Sequence, residues 1–256
     1  NKKTTKTKSA LGTAGSLALG KDMALNLAKA GVDVIITYNS KKDEAPKLVA
    51  EIEKSGGKAE AMQLHAGDTK IFPEFINGVR SVLKTSFNAE RLDFLVNNAG
   101  IGIHAAFTET TEAQFDELMN IHFKGVFFLT QAALPVMNDG GRIVNVSTGL
   151  ARFSNPGYAA YASMKGAVET LTRYMAKELG HRKIAVNTVA PGAIETDFSG
   201  GLVRDNEQVN KHIAGVTALG RVGVAEDIGA VVAFLCTEGG RWINGQRIEV
   251  SGGINL

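Results

Sequence analysis

Short apolar segments alternate along the chain with longer segments of helical periodicity. Five runs rich in valine and isoleucine predict strands, at residues 32–37, 92–96, 142–147, 184–189 and 247–250. A weaker candidate lies at residues 58–64. These runs are nearly continuous in apolar residues, as expected of strands that are buried on both faces of a parallel sheet.

Helical patterns separate the predicted strands, at residues 19–30, 43–55, 72–87, 112–136, 158–179 and 225–236. Strands and helices that alternate over the whole length predict an α/β fold, a doubly wound and mostly parallel sheet with helices on both faces. We find no linker or repeat and expect a single domain over residues 1–256. The first strand is the weakest element, because only Ala10 and Leu11 are apolar between Ser9 and Gly12.

Composition narrows the possible functions. Apolar residues make up 44% of the 256 residues, enough for a large core. The net charge is only +2, so we expect no nucleic-acid partner. A single cysteine, Cys236, excludes an intramolecular disulfide and a cysteine-based zinc site, and we predict no metal. The single cysteine favours a reducing, cytoplasmic setting. Since no segment is apolar for long enough to span a membrane, we expect no membrane partner.

A turn rich in glycine and alanine follows the first predicted strand. In a doubly wound fold, the first turn between strand and helix binds the pyrophosphate of a dinucleotide. Backbone N–H groups and the helix N-terminus would hold the phosphates. The candidate cofactor-binding residues here are Thr13, Gly15, Ser16, Leu19 and Gly20. The same residues would also suit a flexible loop that leads into a helix.

The end of the second predicted strand bears on the choice of cofactor. It carries Tyr38, Asn39 and Ser40, followed by two lysines. An acidic residue at this place would hold the 2′-hydroxyl of NAD, and none is present. Lys41 or Lys42 would instead pair with a 2′-phosphate, which favours NADP(H) over NAD(H). Alternatively, these lysines are a solvated pair that opens the next helix.

Tyr161 and Lys165 lie four residues apart in a helical pattern and therefore share a face. A lysine cation beside a tyrosine lowers the phenol pKa from about 10. The tyrosine could then exchange a proton with a carbonyl or alcohol oxygen near neutral pH. Thr148, at the end of a predicted strand, could donate a hydrogen bond to the same oxygen. By themselves, the tyrosine and lysine could equally be a surface pair of a helix.

Several motifs together resemble the short-chain dehydrogenase/reductase family over essentially the whole chain. They are Asn-Asn-Ala-Gly at 97–100, Tyr-Ala-Ser-Met-Lys at 161–165, Pro-Gly-Ala-Ile-Glu-Thr at 191–196, Gly-Arg-Val-Gly at 220–223 with Glu226 and Asp227, and Ser-Gly-Gly at 251–253. The resemblance implies a seven-stranded Rossmann-type sheet, a nicotinamide cofactor and a homotetramer. The helices at 112–136 and 158–179 would form an interface between subunits.

The resemblance also assigns roles to individual residues. Tyr161 would be the general acid and base, while Lys165 would bind the nicotinamide ribose and lower the tyrosine pKa. The backbone of Ile194, together with Thr196, would hold the carboxamide. Further cofactor-binding positions would be Asn97, Ala99 and Gly100, which also support the central strand, and Pro191 and Gly192.

The glycine-rich turn departs from the family pattern Thr-Gly-x-x-x-Gly-x-Gly. When the two are aligned on Gly20, Ala14 and Ala18 replace two of the three glycines, and Leu17 stands where NADP-dependent members often carry a basic residue. A methyl group at Ala18 would intrude on the pyrophosphate. At Ala14 it would penalise a turn of positive φ by roughly 1 kcal/mol.

The catalytic positions depart less. Thr148 replaces the usual serine, and since the hydroxyl is kept we expect its role to be kept. Ser147 should point to the other side of the strand. The helix asparagine of the family's proton relay aligns with His122. A histidine could bind the relay water, or it could simply be packed inside the helix layer.

The main hypothesis is an NADP(H)-dependent carbonyl reductase or alcohol dehydrogenase, which transfers hydride between nicotinamide and a small-molecule ketone or secondary alcohol. A 3-oxoacyl-[acyl-carrier-protein] reductase is an alternative, but residues 134–140 lack the basic side chains that an acidic carrier protein would favour. An enoyl reductase would use Tyr158, seven residues before Lys165. A non-catalytic protein with impaired cofactor binding is suggested by Ala14 and Ala18.

The substrate pocket is the least determined region. Residues 196–220 and 150–157 would surround it, and its apolar candidates could equally belong to the core or to an interface: Phe153, Tyr158, Phe198, Leu202 and Val203. Val209, Ile213 and Val216 fit one face of a short helix that could act as a lid.

Overall fold

The computed structural model describes residues 7–15 and 18–256. Seven strands form one sheet in the order β3-β2-β1-β4-β5-β6-β7, and every neighbouring pair is parallel. The strands are β1 Lys8–Gly12, β2 Val32–Tyr38, β3 Ala59–Gln63, β4 Leu92–Asn97, β5 Met137–Val146, β6 Ala185–Pro191 and β7 Arg247–Val250. This confirms the doubly wound sheet. The strand order reverses between β1 and β4, where such folds bind ligands beyond the carboxyl ends of the strands.

The α-helices of the described residues are α1 Ala18–Lys29, α2 Glu44–Lys54, α3 Phe72–Thr85, α4 Glu112–Met119, α5 Gly125–Ala133, α6 Ala159–Glu178, α7 Leu202–Asp205, α8 Glu207–Gly215 and α9 Glu226–Cys236. Most match the predicted helices closely. The predicted helix at 112–136 is wrong in its continuity, because a π-helical turn at Asn120–Lys124 separates α4 from α5. Its last residues form the 3₁₀ turn Leu134–Val136, and β5 begins directly afterwards.

Two apolar clusters cover the two faces of the sheet. One face packs against α1, α2 and α9 through residues such as Leu27, Ile52 and Val232, and it also encloses Cys236. The other face packs against α3, α5 and α6. None of the helices described is long and apolar enough to cross a membrane. Within residues 7–15 and 18–256, no group of acidic, histidine or cysteine side chains is arranged to hold a metal ion.

The weakly apolar first strand is nevertheless central in the sheet. β1 pairs with β2 on one side and with β4 on the other. Residues at the start of β4 satisfy the hydrogen-bonding groups of its polar residue Ser9. The Ser9 backbone N–H donates to the Asp93 carboxylate at 2.9 Å, and the Ser9 hydroxyl donates to the Arg91 carbonyl at 3.3 Å. Lys8 pairs with the same carboxylate at 3.1 Å. Long-range pairing thus replaces the apolar burial that the sequence lacks.

Candidate active site

The turn after β1 is held by backbone hydrogen bonds to both neighbouring strands. The Thr13 hydroxyl accepts from the backbone N–H groups of Asn98 and Ala99, each at 2.9 Å. The Ala14 N–H donates to the Thr37 hydroxyl at 3.0 Å. The turn is therefore fixed to the carboxyl ends of β4 and β2, where the sequence predicts the cofactor site.

Both alanines that replace family glycines have a left-handed backbone. Ala14 has φ 51° and Ala18 has φ 47°. This confirms the predicted strain at Ala14 and adds a second strained residue, at about 1 to 2 kcal/mol each. Ser16 and Leu17, the other residues singled out in this turn, lie outside the described residues.

The glycines that the turn retains are those where packing leaves no room for a side chain. A Cβ at Gly20 would collide with the Ala14 carbonyl oxygen, and one at Gly15 would lie 2.9 Å from the Ile36 Cβ. Alanine therefore replaces glycine at the two positions where the cost is an unfavourable backbone torsion, and glycine is kept where a side chain would cause a steric clash. The left-handed turn and the close packing of α1 both persist, so these residues fit a dinucleotide phosphate.

The end of β2 and the segment after β6 lie within electrostatic range of each other. Tyr38 is half-buried, while Asn39, Ser40 and Lys41 are exposed. The Arg204 guanidinium holds the pKa of the Asp197 carboxyl below its usual range, and the Lys41 ammonium contributes to this shift. Lys41 therefore lies close enough to the segment after β6 to act on Asp197 electrostatically, and its contact with a 2′-phosphate stays a prediction.

Asn97 and Gly100 have supporting positions at the end of β4. The buried Asn97 side chain donates to the Thr130 hydroxyl at 3.0 Å and to the Asn145 side-chain oxygen at 2.8 Å, and so links β4 to α5 and β5. A Cβ at Gly100 would lie 2.6 Å from the His122 ring. The predicted contacts of Asn97, Ala99 and Gly100 with a cofactor stay predictions.

The segment after β6 is anchored to the last strand. The Gly192 N–H donates to the Val250 carbonyl at 3.0 Å, and a Cβ at Gly192 would lie 2.8 Å from Ser251 Cα. The buried Thr196 hydroxyl accepts from the Phe198 N–H at 3.2 Å. The other residues predicted to contact the cofactor are Pro191 and Ile194, in this segment, and Leu19, on α1. Leu19 packs partly against the apolar cluster beneath α1.

Thr148, Tyr161 and Lys165 converge at the carboxyl end of β5. Each is almost fully buried, with exposed fractions of 8%, 7% and 4% respectively. The Lys165 ammonium donates to the Val146 carbonyl at 2.7 Å and lies 6.0 Å from the centre of the Tyr161 ring. The neighbouring Ser147 hydroxyl donates to Glu169 of α6 at 2.6 Å. That Ser147 points to the other side of the strand stays a prediction.

Burial dominates the acid–base properties of these groups. It raises the pKa of Tyr161 to about 12, although the hydrogen bond with Thr148 opposes the rise. It also lowers the pKa of Lys165 to about 8. The predicted lowering of the tyrosine pKa is therefore wrong for this structure, because loss of solvation outweighs any benefit from the lysine charge.

His122 lies inside the π-helical turn and is fully buried. Its Nε2 is 2.8 Å from the Ile101 carbonyl oxygen, and its ring meets the Tyr161 ring edge-on at 5.1 Å. The Ile101 backbone N–H lies 3.1 Å from the same Nε2, so Nε2 donates to the carbonyl in one tautomer and accepts from the N–H in the other. Nδ1 has no hydrogen-bond partner among the described residues. Burial, followed by the Lys165 charge, lowers the pKa of His122 to about 3, so the ring is neutral. His122 is thus both packed and adjacent to Tyr161.

Aromatic rings surround the Tyr161 phenol. The centre of the Tyr158 ring is 6.3 Å away and that of Phe198 is 5.7 Å away. His104 meets Tyr158 edge-on at 5.1 Å. Phe198 begins a turn in which Ser199 and the next two residues all have positive φ. No sequence motif identified His104, which reaches the site only through the loop after β4.

Comparison with known proteins places this arrangement among reductases. The family model described as enoyl-(acyl carrier protein) reductase matches residues 12–255. The chain is 38% identical to the hydroxynaphthalene reductase-like protein Arp2 of Metarhizium brunneum, over 96% of this chain and 94% of that protein. It is 35% identical to the short-chain dehydrogenase/reductase FrzI of Cladobotryum sp., over 96% and 95% respectively. The crystal structure of the angucycline C-6 ketoreductase LanV with bound NADP superimposes with a TM-score of 0.92 at 38% identity, covering 97% of this chain and 96% of LanV.

Proposed function

The chain belongs to the short-chain dehydrogenase/reductase family of oxidoreductases, and we propose that it is an NADP(H)-dependent ketoreductase with Tyr161 as its general acid and base. The convergence of Thr148, Tyr161 and Lys165 at the carboxyl end of β5, the same edge of the parallel sheet from which the turn after β1 leaves, carries this proposal. Catalysis of hydride transfer needs such a proton donor within reach of a nicotinamide site. The NADP bound to LanV, at 38% identity, supports the same cofactor here.

The cofactor would be held by residues that follow the strands β1, β2 and β6 and by Lys165 on α6. Backbone N–H groups of the turn at 13–20 and the N-terminus of α1 would hold the diphosphate, and Ser40 and Lys41 the 2′-phosphate. Ile194 and Thr196 would hold the carboxamide, and Lys165 the ribose. When bound, the reduced nicotinamide supplies the hydride for the carbonyl carbon.

Tyr161 would supply the proton. Because its pKa is raised to about 12, the phenol is protonated at neutral pH and can donate to a carbonyl oxygen. Thr148 would donate a hydrogen bond to the same oxygen. The Lys165 ammonium would stabilise the negative charge that develops on the phenol oxygen. The neutral His122 ring would form a hydrogen bond with a relay water through Nδ1, which has no partner among the described residues.

We propose a planar aromatic ketone as the substrate class. Tyr158, Phe198 and His104 line the approach to Tyr161, and aromatic side chains favour offset or edge-on packing with flat rings. The names of Arp2 and LanV refer to hydroxynaphthalene and angucycline compounds, which are ring systems of this kind.

A homotetramer remains part of the proposal. Phe115, Phe127, Phe128 and Tyr174 are exposed on α4, α5 and α6, the helices that the sequence predicts at an interface. Light scattering of the purified protein would give the mass of the assembly directly.

The function is tested first by titrating the protein with NADPH and, separately, with NADH, following nicotinamide fluorescence. We expect NADPH to bind at micromolar concentration and NADH more weakly. The protein with bound NADPH is then assayed with fused-ring aromatic ketones and, as the competing substrate class, with 3-oxoacyl thioesters. Turnover is followed by the loss of NADPH absorbance. If neither nicotinamide binds, the chain is a non-catalytic member of its family. Turnover of the thioesters alone would instead favour the acyl-carrier-protein reductase.

A further inference from the structure

A charged network joins the last strand to the segment that carries Thr148. Arg247, the first residue of β7, donates from Nη2 to the Thr148 carbonyl at 3.2 Å. Its Nε donates to Glu169 at 2.7 Å, and its Nη1 donates to Glu249 at 2.8 Å. We propose that Arg247 is a positioning residue for Thr148, a role that depends on the proposed function. It acts on the backbone of the residue whose hydroxyl faces the substrate oxygen.

The network holds the residue before Thr148 as well. The Ser147 hydroxyl donates to the same Glu169 oxygen at 2.6 Å and lies 3.5 Å from the Lys165 carbonyl. Glu169 thus receives hydrogen bonds from both Ser147 and Arg247. Because Glu169 stands one helical turn after Lys165 on α6, the network fixes the end of β5 to the helix that carries the other catalytic groups.

The backbone conformation of Thr148 and the hydrogen bonds around it fix the orientation of its side chain. Thr148 is extended, with φ −158° and ψ 153°. The Thr148 hydroxyl accepts from the Leu150 N–H at 3.3 Å. With the preceding Ser147 bound to Glu169 and the Thr148 carbonyl held by Arg247, the Thr148 hydroxyl is kept within hydrogen-bond reach of Tyr161.

The residues after Thr148 are attached to the C-terminal segment in the same way. Arg152 forms two hydrogen bonds with the Glu249 carboxylate, at 2.8 and 2.7 Å. It also donates to the carbonyls of Ile254 and Asn255, at 2.7 and 3.1 Å. The turn Gly149–Ala151 is therefore held between two arginine–glutamate contacts, one on each side.

The network is shielded enough to hold its geometry. The side chains of Arg247, Glu169 and Glu249 are 24%, 13% and 17% exposed, whereas the surface pair of Lys211 and Glu207 is 74% and 79% exposed. Arginine suits this position because its planar fork can bind three acceptors at once. The two arginines hold the pKa of Glu249 at about 2, so the carboxylate stays charged at all physiological pH values.

The proposal is tested by Arg247→Met in the wild-type and Thr148→Ala backgrounds, with kcat and KM measured for an aromatic ketone. In the wild type we expect kcat to fall on the order of tenfold, because small displacements of a catalytic group are costly. The KM for NADPH should change by less than about twofold. In the Thr148→Ala background the same substitution should change kcat by less than about twofold, because interacting residues are not additive. An equal loss in both backgrounds would overturn the proposal.

Arg182→Met is the matched control. Arg182 also binds one carboxylate and two carbonyls, namely Asp139 at 2.8 Å, Leu134 at 2.9 Å and Met137 at 2.7 Å, but at the opposite end of β5. It should leave kcat unchanged even if it lowers stability. If Arg247→Met does not fold, Arg247→Lys keeps the charge but loses the fork, and we expect it to show the same dependence on background.

Amide hydrogen exchange gives a readout that does not need turnover. Peptides covering residues 148–152 should exchange roughly tenfold faster in Arg247→Met, because their attachment to β7 is lost, and should be unchanged in Arg182→Met. Unchanged exchange at 148–152 overturns the proposal whatever the kinetics. If the wild type binds NADPH but reduces no ketone, the proposed function fails, while the exchange result still decides whether Arg247 holds this segment.

Discussion

The two ends of the crevice are held together in different ways. At the phosphate end, the turn after β1 is fixed by backbone hydrogen bonds and by glycines that leave no room for side chains. At the catalytic end, Thr148, Tyr161 and Lys165 are buried side chains held by side-chain and charge contacts. The first end departs from its family pattern at two glycines. The second keeps every hydroxyl and amine that the chemistry needs.

This difference shows which substitutions each end tolerates. At the phosphate end, Ala14 and Ala18 cost torsional energy but do not displace the packing, so the shape of the turn survives. At the catalytic end, the energetic cost is the loss of solvation of the buried ionisable groups, which shifts the pKa values of Tyr161 and Lys165. Substitutions at the two ends should therefore separate into effects on binding and effects on turnover.

The largest effect is expected from Tyr161→Phe. Removal of the phenol oxygen eliminates the proton donor, so kcat for ketone reduction should fall at least about 100-fold. The Kd for NADPH, measured by fluorescence titration, should stay within about twofold, since the phosphate end is untouched. A variant that loses NADPH binding to the same extent as turnover would show that the two ends are not separable.

The pH dependence of stability should reveal the buried lysine. Burial lowers the pKa of Lys165 to about 8 in the folded protein from its ordinary value of 10.5, so the unfolded chain binds more protons between these limits. Stability should therefore rise with pH through this window, by about 2 kcal/mol between pH 8 and pH 10. Urea unfolding at several pH values, with Lys165→Met as the comparison, measures this. A rise of the same size in Lys165→Met would assign it to another group.

Restoring the glycines should act on the phosphate end alone. Ala14→Gly and Ala18→Gly relieve the left-handed strain, but the more flexible unfolded chain offsets part of the gain. We expect each to raise the free energy of unfolding by about 0.5 to 1 kcal/mol. NADPH should bind several-fold more tightly. A matched Ala30→Gly at the C-terminal end of α1 should give no such gain. If either glycine variant were less stable than the wild type, a left-handed backbone at that residue would be contradicted.

The smallest effect is expected from Lys41→Ala. Loss of one exposed cation should weaken NADPH binding by about fivefold and leave NADH binding unchanged, because only NADPH carries the 2′-phosphate. Lys42→Ala is the control for the general loss of positive charge. Equal weakening by both variants, or equal weakening for both nicotinamides, would remove Lys41 from the 2′-phosphate site.

Most of the fold could be predicted because local patterns determine it. The strands β2 and β4 are short apolar runs, and the predictions for them and for β7 are correct to within a residue. β1 was uncertain because the groups that satisfy it, Asp93 and Arg91, lie more than 80 residues away. The π-helical turn around His122 was also missed, since an extra residue in a helical turn hardly changes apolar periodicity.

Within the site, the sequence identified residues but not their environments. Thr148, Tyr161 and Lys165 were found through their spacing and through motifs at strand ends. The direction of the Tyr161 pKa shift could not be found in this way, because burial is a property of the tertiary structure. His104 and Arg247 were missed for a related reason: each reaches the site by a contact between distant parts of the chain.

The long stretch of chain between Thr148 and β7 has a consequence for biosynthesis. Arg247, which binds the Thr148 carbonyl, lies 99 residues after Thr148 and is therefore translated well after Tyr161 and Lys165. Chains grow at roughly 5 to 20 residues per second, so a nascent chain carries Tyr161 and Lys165 for several seconds before the network can close. Nascent chains that stop short of β7 would possess these side chains without the contact that orients Thr148. Translation of β7 would therefore be the step that brings Thr148 under the control of Arg247.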